Sequence, residues 1–190
     1  MHKGERITSS AEWHELVQHH WVSNGRRTHA RQTALIRRLD VGLRHRTSRK
    51  FRTAAHHLWE LSCRPDVRTQ LLSMVQLSGI VAQLHRSDDL QGLRFVIGAL
   101  GCIVKGDRTG SLVTQLADLQ VMDTLNTHRT ILERGQSPQL GLAVAILLQQ
   151  LSLTTQGQAI LDSNVQCTLS LLVALLRQAP KNGRLYVPLH

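Results

Sequence analysis

The stretch LRFVIGALGCIVK, residues 93–105, places Leu93, Val96, Ile97, Leu100, Ile103 and Val104 at helical steps. Each residue of an α-helix turns about 100°, so these six side chains share one stripe broad enough to seal against a core. A strand would alternate apolar and polar residues, and the β-branched residues here do not alternate. The stretch predicts a long amphipathic helix.

It also recurs. TAAHHLWELSC (53–63) and AVAILLQQLSL (143–153) carry the same small-x-Leu-x-x-Leu/Ile core, and aligning Leu58, Leu100 and Leu148 gives spacings of 42 and 48 residues, the range of helical repeats. In the third copy Leu140, Ala143, Val144, Leu147, Leu148 and Leu151 again keep the 3.6-residue period. After each copy comes a polar break with a short helix: RPDVRTQLLSMV with Pro65 in a first turn, GDRTGSLVTQL, and TTQGQAILDS. Residues 106–118 fit either such a helix or an irregular connection. Middle helices are expected at 78–89, 119–135 and 164–178, with Gly79, Gly135 and Pro138 at the corners. Each unit therefore runs short helix, middle helix, long helix, and the fold class is all-α.

This three-helix order, with SGIVAQL ahead of SDD and a long helix after it, resembles the armadillo repeat. The resemblance covers about residues 47–178 and is fullest in 78–105. It implies a right-handed α-α superhelix of about three units. The stretches ALIRRL, GLRFVIGALGCI and VQCTLSLL also resemble the small armadillo repeat-containing proteins that pair with an RRM protein in splicing complexes. In armadillo proteins the long helices line a concave surface, which makes His56, Glu60, Arg94, Gln149 and Gln150 the candidate partner-binding residues. Peptide-binding members keep an Asn just before the last Leu of each long helix. Here those positions hold Glu60, Cys102 and Gln150, and only Gln150 offers an amide. The Trp row of nuclear-import adaptors is replaced by His56, Gly98 and Ile146. The surface is expected to dock a helix or folded face rather than an extended peptide.

The organisation expected is an N-terminal amphipathic helix at 1–25, an Arg-rich helical segment at 26–52, the armadillo-like repeats at 53–178 and a tail at 179–190, all in one structural domain. Of the chain's net charge of +10, residues 26–52 carry ten Lys or Arg against a single acid, Asp40. On a helix from about 27 to 39, Arg27, Arg31 and Arg38 share a face while Ala34, Leu35 and Leu39 turn elsewhere. Together with Arg37, Arg44, Arg46, Arg49 and Arg52 they form a basic patch, readable as a phosphate-binding stripe or as a solvated exterior.

WHELVQHHW (13–21) imitates the His-Glu-x-x-His zinc signature, but His14, His19 and His20 are five and six residues apart and diverge on a helix. Trp13, Leu16, Val17, His20 and Trp21 instead form an amphipathic stripe. His56 and His57 are adjacent and point about 100° apart. No metal or cofactor is expected. Cys63, Cys102 and Cys167 are odd in number and far apart, which fits neither a disulfide framework nor a zinc knuckle and points to a reducing compartment, cytosol or nucleus. The uncharged run 140–153 is short of a membrane span.

No Gly-rich phosphate loop, nucleophile turn or paired carboxylates are present, so an enzyme with a small-molecule substrate is not expected. The expected function is a protein interaction scaffold, acting through the concave helices and the uncharged flank 163–176. The alternative is a ribonucleoprotein subunit that meets RNA or an RNA-binding protein through 26–52. Leu100→Asp would bury an unpaired charge in the central unit at a cost on the order of 5 kcal/mol. Loss of the cooperative melt by circular dichroism is expected, and a variant that melts like the wild type would show the register to be wrong.

Overall fold

A computed structural model describes residues 27–45, 47–86 and 88–178, and every regular element among them is helical. The expected N-terminal helix, its histidines and the tail lie outside the described residues.

The first described helix, α1 (Arg27–Leu43), buries Ile36, Leu39 and Leu43 at a spacing of three and four residues. Leu39 turns inward while Arg38 is exposed, so the two face apart as expected, and Ala34 is exposed. The next helix is α2 (Ser48–Ser62). Gly42 lies so close to Ala54 that a Cβ there would approach the alanine methyl to 2.8 Å. The Arg-rich segment is thus packed on the next helix, and the boundary expected at 52/53 falls inside α2.

Pro65, freed from donating an N–H, opens α3 (Pro65–Met74) after the extended Arg64. The middle helix expected at 78–89 is only α4 (Leu77–Val81), continued by one 3₁₀ turn, Ala82–His85. Gly79 lies inside α4 rather than at a corner. Asp89 leaves that helix to cap the next, accepting a hydrogen bond from the Gly92 N–H (3.0 Å) at the start of α5 (Leu90–Gly106). All six residues of the opening stripe, Leu93 through Val104, are buried in α5.

Residues 106–118 resolve into a capped loop and a regular helix, α6 (Ser111–Asp118). Asp107 builds the loop, its carboxylate accepting from the N–H groups of Thr109, Gly110, Leu112 and Val113. Burial alone would raise its pKa, but these hydrogen bonds outweigh that and hold it below the usual carboxylate value. Gly110, in the left-handed region at φ 75°, makes the turn into α6.

The helix expected at 119–135 is broken into α7 (Val121–Asn126) and α8 (Arg129–Glu133). Two contacts make the break. Thr127 turns its hydroxyl back onto the Thr124 carbonyl, and the buried His128 ring donates from Nε2 to the Leu84 carbonyl in the preceding unit. Gly135, at φ 62°, and Ser137, which caps at the Leu140 N–H, lead into α9 (Pro138–Ser152) with Pro138 in its first turn.

The chain ends in α10 (Thr155–Ser163) and α11 (Val165–Gln178). α10 leaves α9 at 116°. So tight a turn needs Gly157, because a Cβ there would overlap the Leu151 carbonyl.

The long helices pack in chain order, α1 on α2, α2 on α5 and α5 on α9, and the core runs through them. Contacts between α2 and α5 advance together, from Phe51 against Gly92, through His56 against Phe95, to Trp59 against Gly98, so these two helices run parallel. Shorter helices lie behind: α4 and α10 touch α6, while α11 packs on α7, α8 and α9.

His128 gives the fold a pH sensitivity with a definite sign. Burial lowers its pKa, aided by His85, against the opposing bond to Leu84. A proton on Nδ1 would also sit on a buried atom with no acceptor. The unfolded chain, with a histidine pKa of about 6.5, therefore binds that proton more readily than the fold does. Stability is expected to be complete above about pH 6.5 and to fall as pH drops below it. His128→Gln keeps an N–H for Leu84 without titrating, so urea midpoints between pH 7.5 and 5.5 should fall less in the variant than in the wild type.

Candidate protein interaction face

The sides of α2, α5 and α9 that turn away from the core carry the candidate residues. On α2 and α5 they border an aromatic cluster centred on the buried Phe95. Trp59 stacks on Phe95 with ring centres 5.5 Å apart and 27° between planes, and His56 meets Phe95 edge-on at 4.7 Å. The Arg94 guanidinium lies 4.5 Å from the Phe95 ring centre, and burial lowers its pKa from the ordinary value. Gly98 makes room for Trp59, whose indole nitrogen lies 3.1 Å from where a Cβ would stand. The space beside Gly98 is thus filled from the neighbouring helix by an indole that is 38% exposed.

Glu60 draws both histidines together. Its Oε2 is 3.0 Å from His57 Nδ1 and 3.6 Å from His56 Nδ1. The expectation that adjacent histidines diverge is corrected here: Glu60 is one helical turn on from both, and side-chain rotation brings the rings to one carboxylate. His57 is buried and His56 half-buried, so one ring faces inward as expected. Among the described residues this trio could hold a metal ion, its three ligand atoms lying within 4.8 Å of one another. Within it the His57–Glu60 contact is a hydrogen bond, and His56 stands at ion-pair distance.

On α9, Gln149 is exposed and Gln150 half-exposed, beside the exposed Leu142, Ile146 and Leu153. Gly101 of α5 lies against Ile146, 3.7 Å from its Cγ2 to the position of a Cβ. His56, Glu60 and Arg94 are therefore brought together by the α2–α5 contact, and the glutamines sit one helix further along.

The basic patch is less uniform than its sequence. Arg37, Arg38 and Arg49 are exposed, Arg27 and Arg31 lie in α1, and Arg46 lies outside the described residues. Arg44 pairs with Asp40 at 3.1 Å. Arg52 reaches across to Asp89, Nε and Nη2 both donating to the carboxylate at 3.1–3.3 Å. Asp89 is 1% exposed and also caps α5, so Arg52 holds α2 to α5 rather than offering itself to phosphate. Arg86 belongs to the same joint, its guanidinium 4.2 Å from the Phe51 ring centre and bonded to the His45 carbonyl at 2.6 Å.

A second apolar surface lies on α11. Val165, Leu169, Leu172, Val173 and Leu176 recur at steps of four, three, one and three, and are 42–73% exposed. The helix buries only Leu171 and Ala174 fully. A shallow cleft of about 360 Å³ lies between α3, α4 and α6, lined in part by Leu72, Leu77, Leu112 and Leu119. Among the described residues no single helix is long and apolar enough to cross a membrane.

Sequence reasoning missed Trp59, Phe95, Leu142, Ile146 and Leu153. In α9 the signal was present, since Leu142, Ile146 and Leu153 form a second stripe opposite the buried one. In α2 and α5 it was not, because the cluster forms only when the helices meet. Comparison of the chain with family models, with curated proteins and with solved structures returns no match.

Arg52→Ala would leave the buried Asp89 without its charged donor and should lower stability by about 1–3 kcal/mol. Arg49→Ala, on the exposed side of the same helix, should change it by less than about 0.5 kcal/mol. Urea unfolding of the two variants separates a structural arginine from a surface one.

Proposed function

We propose that the chain is a non-enzymatic interaction scaffold built as an armadillo-like right-handed solenoid of about three units, and that it binds another protein. The parallel stacking of α2 and α5, with short helices between successive long ones, supports the solenoid reading. The observation that carries the function is the five-residue apolar stripe on α11. A lone exposed leucine is ordinary, but five at one helical spacing are a surface made for contact.

Magnitudes say how the two faces would share the work. Burying the exposed half of a Leu or Val is worth about 1 kcal/mol, so the stripe offers about 5 kcal/mol. Association itself costs about 4–15 kcal/mol, so the stripe alone makes at best a weak complex. Docking over the His56–Trp59–Phe95–Arg94 cluster and Gln150 adds aromatic and polar anchors of the kind that dominate interface energies. A helix or folded face fits these surfaces better than an extended chain, since only Gln150 offers an amide of the type that pairs with a peptide backbone.

The test is capture of a partner from native lysate by the full chain, with and without nuclease. Leu169→Asp combined with Leu172→Asp should abolish capture while leaving the melt within a few degrees of wild type, because neither residue is buried. Gln150→Ala should reduce capture and leave the melt unchanged. Capture should barely change between low and moderate salt. Loss on nuclease treatment, or a steep salt dependence, would instead favour the ribonucleoprotein reading through Arg37, Arg38 and Arg49.

A further inference from the structure

The far ends of α2 and α5 bring two thiols together. Cys63 ends α2 as its C-cap and Cys102 lies in the last turns of α5, so the parallel pairing that starts at Phe51 and Gly92 finishes at these two residues. Cys63 and Cys102 each lie four residues, about one helical turn, beyond the touching pair Trp59 and Gly98, so the parallel register sets the two thiols side by side, and neither is in a disulfide. Cys63 is exposed and Cys102 half-exposed, so small oxidants reach both.

The surroundings are electropositive. Arg68 is anchored by its Nε to the Ser62 carbonyl at 2.8 Å, and its guanidinium occupies the space a side chain on Gly106 would need. Lys105 lies on the same turn of α5 as Gly106. The hydrogen bond from Cys63 lowers the Cys102 pKa to about 7 against the opposing effect of burial, with further help from Arg68, Lys105 and a bond to Trp59. That same bond, then burial, pushes the Cys63 thiol up. Cys102 is thus partly thiolate near neutral pH while its neighbour keeps its proton, so Cys102 is the attacking sulfur and Cys63 the resolving one.

We propose that Cys63 and Cys102 are an oxidative modification site, a dithiol that hydrogen peroxide closes into a disulfide clamping α2 to α5. The Cys102 thiolate attacks one peroxide oxygen and the O–O bond breaks, giving a sulfenic acid and hydroxide. The hydroxide takes the Cys63 proton and becomes water. The Cys63 thiolate then attacks the Cys102 sulfur, the S–O bond breaks, and the departing hydroxide takes a solvent proton. Two thiols lose two electrons and one peroxide becomes two waters. A disulfide needs Cα atoms about 4.4–6.8 Å apart, and Cys63 stands at the C-cap of α2 rather than inside the helix.

Cys167 is the internal control. Its pKa is raised by burial and by the neighbouring Asp123. The experiment is limited peroxide treatment of the full chain, alkylation of the remaining thiols and peptide mapping without reductant. A cross-linked 63–102 peptide lacking two hydrogens is expected, with Cys167 still alkylated. Without peroxide, Cys102 should alkylate several-fold faster than Cys167 at neutral pH. Cys63→Ser should abolish the bridge and leave a Cys102 sulfenic acid that dimedone traps. Recovery of Cys63 and Cys102 as alkylated thiols, equal alkylation of all three cysteines, or bridges only between chains would overturn the proposal. The wild-type mapping decides this whether or not the variant folds.

Discussion

The parallel contact of α2 with α5 is the constraint on which the rest of the structure depends. Phe51 lies where a Gly92 side chain would be, Trp59 presses on Gly98, and Arg52 closes on the buried Asp89. Glycines let the backbones approach, aromatic rings fill the gap, and the carboxylate satisfies both the guanidinium and the first turn of α5. Each part needs the others. A buried carboxylate without its arginine would be costly, and Trp59 without Gly98 would have nowhere to lie.

Short-range capping sets where the helices begin and end. Asp89 ends one stretch and begins α5, Asp107 performs the same task ahead of α6, and Ser137 and Thr154 cap α9 and α10. Elsewhere the helices are tied by longer reach, as when His128 bonds to the Leu84 carbonyl. These polar joints fix where helices stop, while the leucine rows fix which way they face. Buried polar groups placed in this way set register more sharply than apolar contact alone, because a slip by one residue would leave each of them unsatisfied.

Two chemically different surfaces result. The face on α2 and α5 is aromatic and cationic, with a Glu60–histidine trio beside it and two thiols at its end. The face on α11 is aliphatic and uncharged along five residues. The first suits oriented polar contact with aromatic anchors, the second broad burial of a complementary apolar helix.

The leucine periodicity was enough to determine the helices and their buried sides. Leu93 through Val104 and Leu140 through Leu151 could face only one way, since one stripe per helix is what water rejects. Pro65, Pro138 and Gly135 marked their turns for similarly local reasons. The breaks after Val81 and at Thr127–His128 were hidden, because the contacts that make them lie in other units. The site was hidden for the same reason. His56 and Glu60 were visible as outward positions, but Trp59 on Gly98, Arg52 on Asp89 and Cys63 beside Cys102 join residues tens of positions apart, and only the packing of α2 on α5 could bring them into contact.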